Sequence, residues 1–175
     1  MLFRSKHFRP NIQQHLPPHL LNKQTPKQPI KVFKNIEIPL VIAGKNPSEK
    51  LKKLAYSSRF SCLVANPTEK EMQDMIAKAH INVLPAYIST GMKFKLLNAL
   101  FNGRHVVVNE AMIADSGLEP LCHTGTTANA FQEIIMQLYH QPFSEEEIRL
   151  RKKWLVPKFN NTANAQKQVG WIWGN

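Results

Sequence analysis

The chain has 175 residues, 43% of them apolar, a formal net charge of +11 and two cysteines. That length fits one domain with a respectable core. The two cysteines, Cys62 and Cys122, stand outside any CxxC pair and lack partners at zinc spacing, which excludes a disulfide framework and a structural zinc site.

The charge is unevenly spread. Residues 1–34 carry seven Lys/Arg and no acid, leaving 16 basic and 12 acidic residues for the remainder. Most of the excess is therefore a solvated arm, and nucleic acid is not a favoured partner. Stacking on bases would need aromatic side chains among the cations, and the arm offers Phe3, Phe8 and a few histidines. Residues 1–29 hold five prolines and predict a mobile, basic extension; residues 30–175 form the folded domain. No apolar run approaches the ~20 residues of a membrane span, and no apolar segment follows the basic N-terminus. The expectation is a cytoplasmic protein with two buried, reduced thiols.

In chain order, "IKVFKNIE" at 30–37 suits a last helical turn, and "PLVIAG" reads as a strand covered on both faces. "NPSEKLKKLAYSS" predicts a helix with Asn46 as N-cap, Pro47 in the first position and Glu49 closing a capping box. "FSCLVA" is a second strand. "NPTEKEMQDMIAKA" repeats the arrangement with Asn66, Pro67 and Glu69, a convergence of capping chemistry rather than a duplication. "HINVLP" is a third strand. A helix over Met92–Asn102 follows, stopped by Gly103 as a C′ residue, and "RHVVVN" is a fourth strand. His105, which opens it, is read as structural. "EAMIADSGLE" is a loop turning at Ser116-Gly117, and "GLEPLCHTG" contains a short edge strand. In "TANAFQEIIMQLYHQ", Phe131, Ile134, Ile135 and Leu138 mark an amphipathic helix. "SEEEIRLRKKWLV" is a helix capped by Ser144, with acids first and bases later. "GWIWGN" should dock Trp171 and Trp173 on the domain or on a partner domain. This alternation predicts an α/β protein with a parallel sheet of about five strands and helices on both faces. Ligands of such sheets bind beyond the carboxyl ends of the strands.

The helix after "ISTG" carries the chemistry. On a helical wheel Lys93 falls inside the apolar sector, between Leu97 and Leu100, whereas Lys95, Asn98 and Asn102 form a polar stripe. Two readings of Lys93 stand: its amine snorkels to water, or it meets an anion. In the first turn it can reach the crevice where the free N–H groups of the helix start also point. Lys95 reads as a solvated surface lysine.

The stretch "IPLVIAG … LVANPTEKEMQDMIAKAHINVLPAYISTGMKFKLLNALFNGRHVVVNEAM" resembles the carboxy-terminal, donor-binding half of a GT-B glycosyltransferase of the family-4 type, over about residues 38–155. The resemblance implies a Rossmann-like domain, half of a GT-B fold, that binds a nucleotide-diphosphate sugar as substrate, with no metal and no cofactor. It places the donor diphosphate at Thr90, Gly91, Met92 and Lys93, the ribose at Asn98 and the base at Val64, Ala65 and Asn66. Asn98 stands where the family has a glutamate, so it offers hydrogen bonds without charge. No catalytic residue is assigned. An acceptor-binding domain would need another ~100–200 residues, and the family's opening strand and its basic pair are replaced by the proline-rich segment. The expectation is a chain incomplete as a catalyst, or one served by a separate acceptor domain. Two alternatives remain: a degenerate interaction module on the same fold, and a nucleic-acid-binding protein using its basic arm.

Overall fold

The structure is a computed structural model and describes residues 36–86 and 93–174. Among the described residues five strands form, all in parallel ladders: β1 (Leu40–Gly44), β2 (Ser61–Ala65), β3 (Ile81–Leu84), β4 (His105–Val108) and β5 (His123–Thr124). They lie in two sheets, β1–β2 and β3–β4–β5, rather than in the single sheet the sequence suggested. The first sheet pairs Leu40 with Ser61 through Gly44 with Ala65, and the second pairs Ile81 with His105 and Val107 with His123.

Helices alternate with these strands: α1 (Glu49–Tyr56), α2 (Glu69–Lys78), α3 (Phe94–Asn102), the short α4 (Glu110–Ile113) and α5 (Ala128–His140). The α4 turn falls in a stretch expected to be loop, and a 3₁₀ turn covers Glu119–Leu121. Residues up to 143 make one compact unit; a second, from Ser144, contains α6 (Glu145–Phe159) and α7 (Asn161–Trp173). The Ser144 cap and the Glu147 that closes its box define the start of α6.

Strand alternation sorts the core into two faces. Leu40, Ile81 and Val107 point toward Ile135 and Leu138 of α5 in one buried cluster, which Ile42, Val83, Phe131 and Ile134 extend. The four stripe residues of α5 thus do what their spacing predicts. On the opposite face, Val41 and Val64 pack with Met75 of α2. Helices therefore cover both faces, as in a Rossmann-like α/β domain. Asn82, fully buried, turns toward α2 and donates to the Ile76 carbonyl at 3.2 Å.

Gly103 ends α3, but not as a left-handed C′ residue: its φ is −99°. Its hydrogen side chain is required by close approach instead. A Cβ there would run into the Asn82 amide and come within 2.7 Å of the Ala99 carbonyl.

At the amino ends of the second sheet, three imidazoles line up. The His80 and His105 centroids are 5.2 Å apart, and those of His105 and His123 are 5.9 Å apart. Nε2 of His80 is 2.9 Å from the Leu138 carbonyl, and Nε2 of His105 is 3.2 Å from that of Gln141. Both contacts tie the end of α5 to the sheet, which gives His105 its structural role. Cys62 and Cys122 are thiols outside any disulfide, half-buried rather than buried. The Cys62 thiol is pushed above its ordinary pKa by burial.

Candidate functional site at the strand ends

The helix starts define the carboxyl edge of the first sheet differently from the sequence expectation. The caps are Ser48 and Thr68, not Asn46 and Asn66. Ser48 accepts from the Leu51 amide, and Thr68 forms a full capping box with Glu71. The two asparagines instead adopt left-handed backbone, φ 47° and 50°, which short polar side chains tolerate best after glycine. The Asn66 amide nitrogen donates to the Gly44 carbonyl at 2.8 Å, and its Oδ1 accepts from the Asn46 amide at 2.7 Å. With Oδ1 committed to a donor, the side-chain orientation is fixed. Asn66 Nδ2 is then buried without a hydrogen-bond partner among the described residues. Val64 is buried and Ala65 exposed beside it. An unsatisfied amide donor of this kind costs about 1–3 kcal/mol if it stays unmet.

At the second sheet the strand ends are clasped by Asn109, directly after β4. Its Oδ1 accepts from the Ala86 amide at 2.9 Å, and its Nδ2 donates to the Ala86 carbonyl at 2.6 Å. This two-way bond fixes the segment after β3 against the one after β4. Two lysines of the α3 start attach to the same segments. Lys93 Nζ donates to the Ala111 carbonyl and Lys95 Nζ to the Pro85 carbonyl, each at 3.2 Å.

Helix α3 begins at Phe94, with Lys93 in the N-cap position, two residues later than the sequence spacing suggested. Among the described residues no side chain caps it. By contrast, α1, α2, α5, α6 and α7 are all capped by Ser, Thr or Asn. A cation-rich, uncapped helix start disfavours cations and favours an anion. Lys95 is not the plain surface lysine expected from the wheel. The residue is exposed overall, yet burial at its amine pulls its pKa below the ordinary lysine value, and the charge of Lys93 pulls the same way.

Thr90, Gly91 and Met92 lie outside the described residues. Asn98 is half-buried one turn further along α3, where its Oδ1 accepts from Asn102 Nδ2 at 2.8 Å. Sequence reasoning missed Asn109 and the tethering of Lys95. The signal for Asn109 was its place at the end of a strand; nothing local marked its partner at Ala86.

The family model for glycosyl transferases group 1 matches residues 19–141, well over half of the chain. The chain belongs to the group 1 glycosyltransferases. Comparison with curated proteins and with solved structures returned no match. The family match spans both sheets and α1–α5, so it covers every strand end described above. This group 1 domain is thus an α/β domain of a family that transfers glycosyl groups. None of its described helices is long and apolar enough to cross a membrane.

Proposed function

We propose that this group 1 glycosyltransferase domain binds a nucleotide-diphosphate sugar at the carboxyl ends of its strands. The observation that carries the reading is the pair of ammonium groups tethered to main-chain carbonyls just beyond β3 and β4, beside a helix start with no side-chain cap among the described residues. A carbonyl holds a lysine in place without neutralising it. In this reading a diphosphate at the strand ends meets both ammonium groups and receives amides at the start of α3. Lys93 takes the diphosphate and Lys95 reinforces the field. The helix dipole adds roughly 0.3–1 kcal/mol for an anion there. The base lies, in this reading, at the end of β2 beside Val64, Ala65 and Asn66. Asn98 offers an amide to the ribose. Thr90, Gly91 and Met92 complete the diphosphate cradle in this reading.

Titration calorimetry with UDP- and GDP-sugars tests this. Measurable binding to one of them is expected, and Lys93→Ala weakens it about tenfold, the scale of a charge-assisted hydrogen bond. Equal affinity in the variant rejects the role given to Lys93.

One observation favours a second reading, an interaction module on the same fold. Asn98 brings no charge, and its carbonyl already serves Asn102. Under that reading neither donor class binds.

A further inference from the structure

From Arg149 to the end of the chain there are six cationic residues, Arg149, Arg151, Lys152, Lys153, Lys158 and Lys167, and no acid. On α6, Arg149, Lys152, Lys153 and Val156 are all exposed. At helical spacing they share an arc of about 100°, with the valine among the cations. On α7, Ala165, Val169, Ile172 and Trp173 recur at i, i+4, i+7 and i+8 and are all exposed. Trp171 leaves the other side of the last turn. Its exposure is 81%, against 73% for Ile172 and 76% for Trp173. Both tryptophans, expected to dock on the domain or on a partner domain, are thus exposed.

A helix end with two bare indoles and an isoleucine is not an ordinary solvated surface. Indoles settle at the boundary between water and hydrocarbon, where the ring is apolar and the N–H stays wet. A helix with apolar residues on one side and cations nearby has the composition of an interfacial helix.

We propose that α6 and α7 dock on an anionic phospholipid surface. Arg149, Lys152 and Lys153 meet lipid phosphates, while Val169, Ile172 and Trp173 enter the headgroup boundary and Trp171 lies along it at the helix end. Charge decides between occupants. A second copy docked by the same face would set the exposed arc of Arg149, Lys152 and Lys153 against itself, whereas anionic lipid complements it. The inference is independent of the donor site.

The test uses the full chain with vesicles of phosphatidylcholine alone and of phosphatidylcholine with about 30% phosphatidylglycerol. Cosedimentation should favour the anionic vesicles by about tenfold, with a blue shift of tryptophan emission, and the preference should fade as salt is raised. Trp171→Ala/Trp173→Ala should abolish the shift and most of the binding. Lys152→Glu/Lys153→Glu should lower binding several-fold, and Lys152→Arg/Lys153→Arg should retain it, all with unchanged far-ultraviolet circular dichroism. No binding, or equal binding to both vesicles, overturns the proposal. So does a concentration-dependent dimer in sedimentation velocity that the tryptophan variant abolishes, because it assigns the face to a second copy.

Discussion

At the scale of single residues, Lys95 offers the sharpest handle. Its amine is tethered to Pro85 and has a depressed pKa, through burial first and the Lys93 charge second. A lysine of that kind loses its proton at a lower pH than an unperturbed one. The attraction for a diphosphate is fully present below the depressed value and is lost as pH rises through it. Affinity for a nucleoside diphosphate should therefore fall on the alkaline side earlier than an ordinary lysine would dictate. Lys95→Arg, whose guanidinium stays charged, should flatten that decline; an unchanged pH profile in the variant would remove Lys95 from the site. The sequence placed Lys95 on a polar stripe because a wheel records direction around the helix and not the reach of a four-carbon stem. Lys93 was read from the wheel as meeting either water or an anion, and the structure adds a third partner, the Ala111 carbonyl.

Elements were more legible than their boundaries. β1 to β4 were visible as short apolar runs, β5 only as a short edge strand within "GLEPLCHTG", and α5 as a stripe of four residues. The helix caps were misplaced by two residues in both Asn-Pro-[Ser/Thr] segments. Asparagine is a good cap and a good left-handed residue, and local sequence does not distinguish the two roles. The Gly44 carbonyl and the Asn46 amide, both brought in by pairing of β1 with β2, decide for the left-handed form at Asn66. The cap of α5, Thr127, was not singled out from the sequence, and its contribution can be measured. Thr127 accepts from the Ala130 amide at 3.1 Å. Thr127→Ala should cost about 1 kcal/mol in urea unfolding, while Thr127→Asp should cost much less. A loss of zero in the alanine variant would show that tertiary packing alone holds the start of α5.

Over the whole molecule, two sheets share one core. Leu40 of β1, Ile81 of β3 and Val107 of β4 meet Ile135 and Leu138 in a single cluster. Strand pairing could not be read from the sequence, because every apolar run is compatible with any neighbour in a parallel sheet. The shared core nonetheless predicts coupling. Ile135→Ala, at a fully buried position, should cost about 2–5 kcal/mol. Hydrogen exchange should accelerate together at amides of β1 and β3; acceleration confined to one of them would mean the sheets open separately.

The central claim is that a diphosphate sits at the strand ends by α3. Amide chemical-shift mapping of the ¹⁵N-labelled chain, titrated with UDP- and GDP-sugars, tests it most directly. The account predicts that the largest shifts fall on Lys93–Leu96, Asn109–Ala111 and Asn66, and that Lys93→Ala diminishes them. Shifts centred elsewhere, or none with either nucleotide, would contradict it.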